Sequence, residues 1–108
     1  MHKVFARRFG RLIRWATQNG IHVEVTYYFR TVEEQQALFA QGLTTKDGIN
    51  QRSKHQDGRA ADLAVFRNGE PIWERCEEYE RLGEVWKQWG GRWGGDFESL
   101  NDIYHFEI

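Results

Sequence analysis

Two histidines and two aspartates in the second half of this 108-residue chain have the types and spacing for hydrolytic metal chemistry. His55 and Asp62 stand in the run Ser53-Lys-His55-Gln-Asp-Gly58-Arg-Ala60-Ala-Asp62. Zinc takes imidazole and carboxylate ligands in a tetrahedral shell, and a catalytic site keeps three protein ligands and leaves the fourth position to water. A turn at Gly58 can fold His55 back toward Asp62, with Gly58, Ala60 and Ala61 small enough for close backbone approach. His105 is the best candidate for the third ligand. Asp102, just before it, is placed to act as general base toward metal-activated water; Asn101-Asp102 is also good turn chemistry that needs no catalytic reason. Glu107 shares a strand face with His105 and is a candidate to orient that ligand. Two imidazoles and a carboxylate suit zinc without excluding other divalent ions.

Other residues read less sharply. His2 and His22 lack such company and read as surface or packing residues, and Asp57 reads as solvated. Ser53 either hydrogen-bonds substrate near the metal or shapes the loop. Trp93, between glycines, is a candidate to line a peptide or sugar groove, whereas Trp86 and Trp89 fall on the apolar side of a helix and read as core.

The pattern Ser-x-His-x-x-Gly-x-Ala-x-Asp, complete at Ser53, His55, Gly58, Ala60 and Asp62, resembles the signature of the zinc D-alanyl-D-alanine peptidase superfamily (peptidase family M15). The short length and the ending Asp102-Ile-Tyr-His105-Phe-Glu are most similar to phage endolysins that are L-alanyl-D-glutamate peptidases. The resemblance implies zinc on His55, Asp62 and His105, Asp102 as base, and a fold of the hedgehog and DD-peptidase kind. It extends to Phe29-Arg30-Thr31 with Gln35, Leu38 and Gly42, where it implies that Arg30 contacts the substrate or stabilises developing charge, and to residues 89–97. It implies hydrolysis of the L-alanyl-D-glutamate bond of the peptidoglycan stem peptide, in a phage or prophage product made in the cytoplasm and released to the wall at lysis. Alternatives are a D-Ala-D-Ala carboxypeptidase or dipeptidase, and a non-catalytic wall-binding module with structural zinc.

The elements that must position these residues follow from periodicity. Phe5, Phe9, Leu12, Ile13 and Ala16 form a helical stripe ended by Asn19-Gly20. Val23, Val25 and Tyr27 alternate as a half-buried strand. Thr31 to Glu34 has the form of a capping box and opens a helix through about Ala40. Residues 43–59 form a long polar loop, Ala60–Phe66 a strand, Asn68-Gly69 a tight turn and residues 71–73 a short return. A third helix covers 76–89, a glycine-rich stretch surrounds Trp93, and the final strand puts His105 and Glu107 on one face. The expectation is a single α+β domain over 1–108, with a small antiparallel sheet and about three helices.

Composition narrows the classes. One cysteine, Cys76, excludes an intramolecular disulfide. Charges interrupt every apolar run near the start, so neither a signal-peptide core nor a membrane span is present there. The net charge of -1 divides unevenly: residues 1–30 hold six Lys and Arg against one acid, and the remainder nine against fifteen. The basic start reads either as a solvated helix face or as an attraction to an anionic surface. The resemblance makes the stem peptide the expected partner, with no nucleic acid, no membrane insertion and a monomeric state.

Overall fold

The apolar stripe of the first segment produces the helix α1 (Lys3–Gln18), which buries Phe5, Phe9, Leu12 and Ala16. The computed structural model describes residues 2–27, 32–42, 54–55, 57–98 and 101–108. After α1 come strand β1 (His22–Tyr27), helix α2 (Val32–Ala40), the hairpin β2 (Ala60–Arg67) and β3 (Glu70–Ile72), helix α3 (Glu77–Gln88), and the short strands β4 (Arg92–Trp93) and β5 (His105–Glu107). The hairpin turns through Asn68 and Gly69, both at positive φ, 53° and 79°, as an Asn-Gly pair favours.

The strands form one antiparallel sheet in the order β1-β2-β5-β4, with β3 pairing β2. Along β2 the side chains alternate between faces. Ala61, Leu63 and Val65 join the core with Phe106 of β5 and the buried sides of α1 and α3. Asp62 therefore emerges on the other face. The architecture is α+β, with α1 and α3 packed on one side of the sheet.

Two local features depart from simple alternation. The β1 to β2 register shifts between Val25 and Tyr27, so Val25 stays opposite Leu63 while Tyr27 comes opposite Asp62; Val25, on the edge strand, is 50% exposed. Beyond β5, where β3 pairs β2, a side chain bridges the end of the pair: the Tyr79 hydroxyl accepts the Val65 amide at 3.0 Å and donates to the Ile72 carbonyl at 2.6 Å. Burial pushes that phenol up to about 12, so it stays a donor at physiological pH. Among the described residues no helix is long and apolar enough to cross a membrane.

Candidate metal centre and active site

Strand register brings the sequence-predicted donors together. Asp62 lies opposite His105, and Ala60 opposite Glu107, so Asp62, His105 and Glu107 share the face turned away from the core. His55 reaches that face from a turn closed by Gly58 N–H to the His55 carbonyl and Arg59 N–H to the Lys54 carbonyl. Gly58 sits at φ 68°, a left-handed position that glycine occupies without a Cβ clash. The turn is tied to both ends of the chain. His2 N–H donates to Gly58, Ile108 N–H donates to Arg59, and Lys54 Nζ donates to the Ile108 carbonyl at 3.0 Å.

Three atoms then converge. Asp62 Oδ1 lies 3.2 Å from His55 Nε2 and 3.3 Å from His105 Nδ1, and the two nitrogens are 3.1 Å apart. Tetrahedral ligands with bonds of about 2.0 Å to a zinc ion are about 3.3 Å from one another, so this triangle is already at the spacing of such a shell. Asp62 Oδ1 is buried and lacks a hydrogen bond, a costly arrangement for a carboxylate unless a cation completes it. Two imidazole nitrogens and one carboxylate oxygen are a donor set suited to zinc. The residues present fit the ion.

Electrostatics agree with the geometry. Burial disfavours the Asp62 carboxylate, but the two neighbouring imidazoles outweigh it and hold its pKa at about 2. Burial likewise works against charge on His105, and Asp62 and Glu107 overcome it, raising the imidazole to about 9. Glu107 Oε1 is 2.8 Å from His105 Nε2. With a proton on Nε2 held there, Nδ1 is left to face Asp62 and His55. Arg92 Nη1 approaches the other Glu107 oxygen at 3.4 Å.

Asp102 sits at the entrance to β5. Its amide donates to the Gly94 carbonyl, its carbonyl accepts the His105 amide, and its Oδ1 accepts the Tyr104 amide at 3.3 Å. Burial raises its pKa, and the nearby Asp62 charge adds to the rise. A Cβ at Gly94 would collide with the Asp102 carbonyl and with the His105 Cβ, so this packing requires glycine. Arg75 ties the segment together: Nη1 donates to the Gly95 carbonyl at 2.9 Å and to Asn101 Oδ1 at 3.2 Å, while Asn101 Nδ2 donates to the same carbonyl at 2.6 Å. The other side of the guanidinium pairs with Glu80.

Trp93 does not line a groove. It is 2% exposed, inside the core, with its indole N–H on the Ile103 carbonyl at 2.8 Å. Its glycine neighbourhood signals tight packing: a Cβ at Gly83 or Gly95 would strike the Trp93 ring. Arg30 and Ser53 lie outside the described residues, as does Thr31 of the expected capping box. Sequence spacing also passed over residues that the fold brings to the site. Tyr27 packs edge-on against the His55 ring, and Phe97 lies 5.7 Å from the ring of His105. Arg75 and Arg92 complete the surroundings; isolated arginines carry no periodic signal, and only the cross-strand pairing of Arg92 with Glu107 reveals that one.

Comparison with known proteins gives concordant matches. A family model described as D-alanyl-D-alanine carboxypeptidase matches residues 47–108. The peptidoglycan L-alanyl-D-glutamate endopeptidase CwlK of Bacillus subtilis (strain 168) is 30% identical over 122 residues, covering 100% of this chain and 73% of that protein. The L-Ala D-Glu endopeptidase ChiX of Serratia marcescens has a similar structure, with a TM-score of 0.79 at 22% identity over 100% of this chain and 80% of that one. A variant of the vancomycin resistance D,D-pentapeptidase VanY, solved with Zn(II), gives 0.68 at 22% identity over 96% and 70%. At these identities the two structures speak for a shared fold.

Proposed function

The chain belongs to the D-alanyl-D-alanine carboxypeptidase family of zinc metallopeptidases, and on that premise we propose that it hydrolyses the L-alanyl-D-glutamate bond of the peptidoglycan stem peptide. The observation that carries a hydrolytic reading is the convergence of His55, Asp62 and His105 beside a second, half-buried carboxylate, Asp102. The choice of bond is supported by the similarity to CwlK along the whole chain.

His55, Asp62 and His105 hold the metal in this reading. Zinc supplies the Lewis acidity that makes water a nucleophile near neutral pH and polarises the scissile carbonyl. Asp102 accepts a proton from the attacking water on its carboxylate and returns it to the leaving amine. Its raised pKa suits both halves of that exchange, since a base that is too weak gives no driving force for the first transfer. Glu107 holds the Nε2 proton of His105 and fixes the tautomer of the ligand. Arg30 binds a peptide carboxylate or the developing oxyanion, and Ser53 hydrogen-bonds the substrate.

A second reading, cleavage of the terminal D-Ala-D-Ala bond, is favoured by the description of the matching family model. Intact muropeptides incubated with the protein and analysed by mass spectrometry distinguish the two. Products split between L-alanine and D-glutamate, lost on chelation and restored by zinc, are expected; release of D-alanine alone would replace the first reading with the second.

A further inference from the structure

The outward side of α1 is a straight row of cations. Lys3, Arg7, Arg11 and Arg14 are all exposed, and the helix carries no acidic residue. Steps of four, four and three residues keep the four within about 80° of one another around the helix, with Phe5, Phe9, Leu12 and Ala16 about 180° away. The row runs about 17 Å along the axis. Among the described residues no carboxylate pairs with any of the four, and the Arg11 guanidinium carbon lies over the Trp89 ring, 4.1 Å from its centroid. The chemistry described above makes no use of this surface.

Two features point to the partner. The apolar side of α1 is committed to the core, and Val4 is the one large hydrophobic that the helix exposes, at 42%. The helix therefore has no apolar face to sink among acyl chains, and its attraction is that of fixed cations for surface phosphates. The rest of the chain, residues 31–108, carries six more acids than Lys and Arg. An anionic plane thus draws in α1 and repels the remainder, which fixes the orientation. Because α1 packs on the core side of the sheet, against β1 and α3, and Asp62 emerges on the other side, a chain docked by this row turns its metal centre away from the plane.

We propose that the Lys3–Arg14 row of α1 docks the protein on anionic phospholipid headgroups, with its metal centre facing outward. That such an orientation presents the site to peptidoglycan rests on the wall-peptidase reading; the docking itself does not.

Sedimentation of the full chain with vesicles of equal parts phosphatidylglycerol and phosphatidylcholine tests it, against phosphatidylcholine alone. Binding to the anionic vesicles only is expected, lost as salt rises and the Debye length shortens. Each basic residue near such a surface contributes about fivefold in partition, so Lys3→Gln, Arg7→Gln and Arg14→Gln together weaken it about a hundredfold. The same variant should keep the unfolding midpoint and the muropeptide hydrolysis of the parent. Equal binding by parent and variant, equal binding to neutral vesicles, or no vesicle binding at all would overturn the proposal. So would retention on poly(glycerol phosphate) without vesicle binding, which would make a linear polymer the partner. Intact vesicle binding beside a failed muropeptide digest would count against the peptidase reading alone.

Discussion

The chemistry at the residue scale divides between the group that moves a proton and the groups that hold the metal. Asp102→Asn removes the base while leaving three ligand residues in place, so turnover of a muropeptide should fall about 10²- to 10⁴-fold with zinc content unchanged. Wild-type turnover in that variant would remove Asp102 from the mechanism. His105 supplies a second test. Its pKa of about 9 in the metal-free protein means that a proton occupies the imidazole at neutral pH, and zinc must displace it. Affinity should therefore rise with pH, about tenfold per unit for each proton released, and level off above about 9. The sign for metal-free stability is the reverse: the contribution of His105 is full below its ordinary value of 6.5 and is lost as pH rises through about 9. Calorimetric zinc titrations in buffers of different ionisation enthalpy measure the proton release directly, and an absence of release would contradict a protonated His105.

Among the elements, the segment joining β4 to β5 is held in place by contacts that sequence periodicity does not encode. Arg75→Ala removes the bonds to Gly95 and Asn101 that hold this segment next to Asp102. The expected result is a kcat lowered about tenfold or more with KM and zinc content little changed, since small displacements of catalytic groups are costly; Arg75→Lys should recover part of the loss. Gly94→Ala should be more severe, because its Cβ meets backbone. Much of the framework was nonetheless legible. The α1 stripe, the Asn68-Gly69 turn and the alternation of His105 and Glu107 against Phe106 each follow from a period or a turn rule. Contiguous spacing indicated that His55 could fold back toward Asp62. Trp93 was misread because glycines beside an aromatic ring look like an open loop in sequence, whereas here they make room for the ring in the core. The link of Arg75 to the site was invisible because the partners that make it, Gly95 and Asn101, lie 20 and 26 residues away.

For the molecule as a whole, the three ligand residues come from a turn, a central strand and the final strand, so the unfolded chain does not hold them together. Zinc at a hundredfold excess over its Kd should stabilise the native state by about 2.7 kcal/mol, which raises the unfolding midpoint of a chain this size by about 10 °C or more. Chelation should reverse the shift and abolish hydrolysis; a midpoint indifferent to chelation would contradict the metal centre. The bonds that close the His55 turn give this assembly an order in time. His2 meets Gly58, and Lys54 and Arg59 meet Ile108, so the turn is fastened by segments distant from it in sequence on either side. Loop closure on that scale is slow relative to helix formation. The helices and the β2–β3 hairpin can form while the metal site is still open, and the third ligand arrives only when the last strand docks. In refolding monitored with cobalt in place of zinc, tryptophan burial should precede the visible absorption of the bound ion.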